Sequence, residues 1–296
     1  MSDILSGQLL FAAILAGALY VLISLGLNLV YGTLRLLNIA HGDLVMIGAY
    51  VAYWAMTLAD VPPILSLVLA AVLCAALGWL LYVTLFRRLL ANPQLAKRLE
   101  SNSLLIFFGL SVIIQNGMAL AFTASPRGYQ YLTEVHQFAA FSATGNKLLS
   151  LGIAATISLF VTLFLRLNLF GLSIRALIDH PQAAAVVGVD VDRVRLVSLC
   201  AGFACAGLAG VLISQTQQIS PFMGFPFTIS AFIVIILGGL GNVMAGIAAS
   251  FLLGFVEIYG AALAGANLRS VLIYGIFVMA LLLRPQGLLG KARTPR

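Results

Sequence analysis

His41 and Asp43 stand two residues apart in Asn38-Ile-Ala-His-Gly-Asp43, between two long apolar runs. An imidazole and a carboxylate so placed can move a proton, balance an ion or touch a polar solute. At membrane depth such groups turn toward a protein interior or a wet cavity. A second reading puts this turn at a membrane surface, where Asp43 only caps the helix that follows. Asn38, His41, Gly42 and Asp43 are therefore candidate path residues, with both readings open. Glu257 is the one carboxylate well inside a later apolar run, and it either pairs with Arg269 or sits protonated. The amides Asn28, Gln115, Asn116, Gln215, Gln217 and Gln218 suit hydrogen bonds between helices better than solute contacts.

Other chemistry is missing. No Gly-x-x-x-x-Gly-Lys-Ser/Thr segment occurs, so the chain is not expected to hydrolyse ATP. No Ser/His/Asp or Cys/His array and no paired zinc ligands stand out; Cys74, Cys200 and Cys205 lie inside apolar runs and match no ligand spacing. His136 reads as a loop residue and His180 as the start of a helix. The expectation is a non-catalytic chain with no metal and no cofactor of its own.

The elements that hold these residues follow from composition. With 62% hydrophobic and 8% charged residues and a mean hydropathy of +1.09, the chain is a polytopic membrane protein. Its net charge of +7 does not point to nucleic acid, because the basic residues cluster at the ends of apolar runs. Residues 8–31 lack a basic leader and a small-residue cleavage site and read as a retained span. Against the roughly 20 residues a crossing needs, the spans fall at 8–31, 41–59, 62–86, 102–124, 147–167, 195–219 and 267–284. Residues 226–264 are too long for one span, and Gly238, Gly239, Gly241 and Asn242 mark a break that makes them two shorter helices or a re-entrant pair. These four join the candidate path. The expected fold is a single all-α domain over 1–296, a polytopic transmembrane bundle of eight to ten membrane segments with broken or re-entrant helices.

Arg87, Arg88, Lys97 and Arg98 fill one loop, Arg166, Arg175, Arg193 and Arg195 another, and Arg284, Lys291, Arg293 and Arg296 the tail. The positive-inside rule makes these three regions cytoplasmic and the Ser125–Asn146 loop external. The N-terminus is then external if 41–59 spans. Gly202, Ala206 and Gly210, and likewise Gly246, Ser250 and Gly254, form small-residue stripes that let helices pack closely. Gly42-Asp43 and Gly241-Asn242, each followed by a methionine and another glycine, hint at an internal repeat of broken helices.

The cytoplasmic loop at about 168–195 contains Asp179-His-Pro-Gln-Ala-Ala-Ala-Val-Val-Gly188. Pro181 suits the first position of a helix and Gly188 its left-handed stop. Ala183, Ala184 and Val187 then share one face, a small knob suited to a partner's groove. Without a partner the segment is a short amphipathic linker.

Residues 182–188, Gln-Ala-Ala-Ala-Val-Val-Gly, resemble the coupling-loop signature of ABC importer permeases, with Gln182 where many members have Glu. Together with Asn38–Asp43 and Leu237-Gly-Gly-Leu-Gly-Asn242, they make the chain similar to branched-chain amino-acid permeases of the LivH type. The resemblance implies a membrane subunit of an ATP-driven importer in a bacterial inner membrane. Its implied partners are a second, LivM-like permease, two ABC ATPase subunits that bind the ATP, and an external solute-binding protein. Pro181, Gln182, Ala183, Ala184, Val187 and Gly188 would meet the ATPases. It implies branched-chain or other hydrophobic amino acids as solute, with urea or short amides as the alternative within the family. The rival from another class is an ion-coupled carrier or channel, for which Asp43 and Glu257 are the candidate coupling residues.

Overall fold

A computed structural model describes residues 6–96, 98–265 and 268–283; Lys97, Arg284, Lys291, Arg293 and Arg296 lie outside the described residues. The helices are α1 (Gly7–Leu34), α2 (His41–Ala59), α3 (Pro63–Leu81), α4 (Arg87–Ala91), α5 (Pro93–Ala96), α6 (Leu99–Phe122), α7 (Gly145–Leu167), α8 (Leu169–Asp179), α9 (Pro181–Val186), α10 (Val191–Ser214), α11 (Gly224–Gly238), α12 (Val243–Ala264) and α13 (Arg269–Leu283). Between α6 and α7, strands β1 (Val135–Gln137) and β2 (Ser142–Thr144) form an antiparallel hairpin. A π-helical turn, Tyr82–Phe86, joins α3 to α4, so this span continues to Ala91 rather than stopping near 86 as expected.

Seven of these helices are long and apolar enough to cross a membrane, and α11 is a shorter apolar one. The expected all-α polytopic bundle is what folds, and the long region 226–264 does divide, at Gly239–Asn242, into α11 and α12. One expected span shifts: α10 starts at Val191, because Asp190 caps it by accepting from the Arg193 N–H at 3.0 Å, and it ends at Ser214.

Helix α1 is the central column. It is apolar on all sides and buried along most of its length, packing on α10, α12, α7 and α11. A helix apolar all round must be surrounded by protein or lipid, and here protein surrounds it. By contrast α6 buries mainly Leu99, Ser103, Phe107 and Ser111 and leaves Leu105, Phe108 and Ile113 exposed.

The small-residue stripes lie where helices approach most closely. Gly202 faces the Gly26 carbonyl and Gly210 the Val45 carbonyl, while Gly254 faces Gly17 and Ser250 pairs with Ser24 at 3.0 Å. Glu257 accepts from the Tyr20 hydroxyl across α1 and α12.

Two ends can be told apart. At one, Gln8 Oε1 accepts from the Ser142 N–H at 3.0 Å and Arg127 pairs with Ile219, so the start of α1 shares an end with the Ser125–Asn146 loop. There the Arg127 guanidinium lies over the rings of Tyr53 and Trp54, at 5.7 and 5.3 Å. Tyr129 pairs with Ser214 at 2.8 Å, and burial pushes its hydroxyl up to about 12, so it stays neutral. At the other end lie Arg35, Arg87, Arg166 and Arg175.

A methyl group at Gly210 would sit 1.9 Å from the Val45 carbonyl oxygen, whereas one at Gly109 would meet nothing within 4 Å. Gly210→Leu should therefore lower the melting temperature of the purified chain in detergent, by an overpacking cost of about 1–3 kcal/mol or more. Gly109→Leu should leave it unchanged.

Candidate functional site

Residues 35–40 do not carry the chain away from the bundle but back into it. His41 Nε2 donates to the Ile23 carbonyl at 3.0 Å. Ile23 lies roughly 16 Å along the axis from Leu34, the end of α1, at 1.5 Å per residue. Helix α2 therefore begins at depth. Asp43 is not its cap: the N-cap residue, Ala40, has no capping side chain, and Asp43 Oδ1 accepts instead from the Gln115 amide at 2.9 Å. The capping reading of Asp43 is thus corrected. The cap comes from α11, where Thr228 Oγ1 accepts from the Gly42 N–H at 2.8 Å and donates to the Ile39 carbonyl at 3.0 Å.

This junction brings the starts of α2 and α11 together. A Cβ on Gly42 would lie 1.9 Å from the Gly224 carbonyl oxygen, and one on Gly224 would lie 2.6 Å from the Gly42 carbonyl oxygen. Only glycine permits that approach. Gly224 and Thr228 were not among the sequence candidates; the run Ser220-Pro-Phe-Met-Gly224 between two apolar segments is the signal that marks such an interruption. Asn38, His41, Gly42 and Asp43 are all buried within the chain.

The second glycine break lies elsewhere. Gly239 and Gly241 adopt φ of 94° and 84°, turning the chain between α11 and α12, and Asn242 caps α12 by accepting from the Ala245 N–H. Asn28 on α1 secures the turn: its Oδ1 accepts from the Gly241 N–H at 2.9 Å and its Nδ2 donates to the Asn242 carbonyl at 3.4 Å. The break is thus a turn beside the last two turns of α1, at the basic end, and not an interruption at mid-depth. Gly239, Gly241 and Asn242 line a cavity of about 730 Å³ there, with Arg35, Arg166 and Arg175; Gly238 instead packs against Gly246. The two glycine-polar pairs both open helices, but at different depths.

Helix α9 forms as the sequence suggests, with Pro181 in its first turn and Gly188 at φ 89°. Its exposed face differs from the expected knob. Ala184 is only 2% exposed and turns back toward α8 and α10, whereas Val186 and Val187 are 87% and 77% exposed, beside Gln182 and Ala183. The helix ends at Val186, so Val187 leaves the helical face that it was expected to share with Ala183 and Ala184.

The segment before α9 is anchored in the bundle. Ile174 and Leu177 of α8 pack with Leu29, Leu165 and Val194. Ile178 is wedged at the break: a Cβ on Gly32 would meet its side chain at 2.9 Å and one on Gly241 at 3.0 Å. On the far side of the loop, the Tyr82 hydroxyl donates to Asp192 Oδ1 at 2.6 Å and Arg87 pairs with Asp192 at 3.4 Å. Helix α8 thus joins α9 to the α11–α12 turn, with Ile178 against Gly32 and Gly241. Among the described residues no cluster of His, Cys, Asp or Glu could hold a metal.

The fold is that of a multi-pass helical membrane protein with an exposed loop helix at its basic end. The model for the branched-chain amino acid transport system permease component matches residues 9–281, and the chain belongs to that family. It is 27% identical to the high-affinity branched-chain amino acid transport system permease protein LivH of Escherichia coli (strain K12), over 98% of this chain and 97% of the relative. It is 28% identical to the corresponding protein BraD of Pseudomonas aeruginosa, with the same coverage. Similarity extends to the permease protein LivM of E. coli, 28% identical over 93% of this chain and 68% of the relative. No solved structure matches the chain.

Thr228→Val keeps the shape of the side chain but leaves the Gly42 N–H unmet. It should destabilise the purified chain by about 1–3 kcal/mol, read as a lower thermal midpoint, while Thr228→Ser should restore most of the loss.

Proposed function

We propose that this chain is a membrane subunit of an ATP-driven importer of branched-chain and other hydrophobic amino acids, set in a bacterial inner membrane with its basic end in the cytoplasm. The family match over residues 9–281 carries the reading. The partners are a second permease of the LivM kind, two ATPase subunits that bind and hydrolyse ATP, and an external solute-binding protein. The external protein would approach the end that carries the start of α1 and the β-hairpin.

In this reading α9 is the ATPase contact. Pro181, Gln182, Ala183, Val186 and Val187 face outward, and Gly188 ends the helix; Ala184 holds α9 to its own chain. ATP-driven closure of the ATPase pair would pull α9, rock α8 through the His180 link, and press Ile178 on Gly32 and Gly241. The α11–α12 turn would follow, because Asn28 and Ile178 hold it from two sides. Sparse charge inside the chain fits a subunit that passes on a solute already selected outside.

Co-purification from native membranes tests the reading. Recovery of P-loop ATPases and a second permease supports it; recovery of this chain alone in several mild detergents overturns it. Val186→Glu should reduce the ATPase recovered while leaving the melting temperature of the chain unchanged, whereas Ala184→Glu should lower that temperature itself. Ile178→Ala should retain the ATPases and their hydrolysis yet cut leucine uptake per ATP several-fold in proteoliposomes; unchanged coupling would remove α8 from the mechanism.

A further inference from the structure

The cavity at the basic end has a composition that the transport reading does not require. Three cations from separate elements line it: Arg35 at the end of α1, Arg166 in the last turn of α7 and Arg175 on α8. One carboxylate, Asp179, lines it too, leaving an excess of positive charge. Among the described residues the one ion pair is Arg87 with Asp192, so none of these three arginines has a carboxylate within 4.0 Å. Arg175 donates to the Arg166 carbonyl at 3.2 Å, which draws the α8 guanidinium over the end of α7. The start of α12, 22 residues long, opens on the same space and adds the positive end of its dipole.

The walls below the cations are apolar. Leu240 and Met244 line the cavity while nearly half exposed, opposite Leu165 and Ile174. A free phosphate would cover none of that surface and would fill a small part of about 730 Å³, given that a water occupies about 30 Å³. Helix α8, which forms one wall, buries Gly171, Ile174 and Leu177 and exposes Leu169 and Leu172. That is the pattern of a helix lying in the interface of a bilayer. Basic pockets between membrane helices at the cytoplasmic side suit anionic headgroups.

We propose that the cavity bounded by Arg35, Arg166 and Arg175 binds the phosphate of an anionic phospholipid from the cytoplasmic leaflet, with its first acyl carbons against Leu240 and Met244. The inference rests on the reading above only for which end faces the cytoplasm. A lipid seated there bridges α1, α7, α8 and the α11–α12 turn, and so loads the segment that carries α9.

The test is native mass spectrometry of the full-length protein in its purified complex, loaded from mixed phosphatidylglycerol and phosphatidylcholine and then washed with phosphatidylcholine alone. The expected result is retention of phosphatidylglycerol over phosphatidylcholine. Each of Arg35→Gln, Arg166→Gln and Arg175→Gln should weaken retention about fivefold, and the corresponding Lys substitutions should keep most of it. Leu240→Gln with Met244→Gln should weaken it as well. Equal retention of both lipids, or undiminished retention in the single Gln variants, overturns the proposal. Displacement by millimolar inorganic phosphate would show a free-anion site, and displacement by leucine an amino-acid site; either also overturns it. Retention is read on the complex whether or not it transports, so failure here is distinct from failure of the importer reading.

Discussion

Hydrocarbon offers no hydrogen bonds, so a helix that starts at depth must find a partner for every freed N–H inside the protein. The start of α2 sets this problem, because its first turn lies beside Ile23 in the middle of α1. One hydroxyl answers it from another helix: Thr228 receives the Gly42 N–H and gives its own proton to Ile39. The distance can be met only because Gly42 and Gly224 lack side chains. The position of α11 is thereby fixed to α2, and α2 in turn rests on α10 through Gly48 against Gly207 and Gly210 against Val45. These close approaches place the central column and the helices around it.

The α11–α12 turn obeys the same constraint with a different solution. Its freed groups lie at the basic end, and Asn28 satisfies one donor and one acceptor with a single amide. Gly246 stands one turn into α12 and faces that amide, 2.8 Å from where its own Cβ would be, so the close approach of α12 to α1 and the capture of the turn depend on the same residue. Ile178 adds an apolar contact from outside the bundle. The turn is held by hydrogen bonds on the α1 side and by packing on the α8 side.

Most of the helical architecture was legible in the sequence, because apolar length alone sets a span and glycine with asparagine marks a turn. The boundaries of α2 and the division of 226–264 were read correctly for that reason. Asn28 was legible as a bond between helices, though not its target. The depth of His41 was not legible: a short polar turn looks alike at the interface and inside, and only the contact with Ile23 distinguishes them. Thr228 escaped notice because a lone threonine in an apolar run is ordinary, and its role appears only when Gly42 arrives from 186 residues away. Ala184 was expected on the outward face and is buried, because the spacing of small residues in a six-residue helix does not tell which side its own chain covers.

The interior of the chain is packed, and that bears on where a solute could pass. Asn38, His41 and Asp43 are essentially unexposed, whereas the cavity of about 730 Å³ lies at the basic end. Both amide atoms of Asn38, Nδ1 of His41 and Oδ2 of Asp43 nevertheless have no hydrogen-bond partner within the described residues. Buried polar atoms left unpaired cost about 1–3 kcal/mol each, and water or a polar solute that reached them would be a partner. Parting α2 from α11 would admit such partners and recover part of that cost, an offset that an all-apolar contact lacks. The junction at Gly42 and Gly224 is thus among the closest contacts in the core and lies beside these unpaired groups.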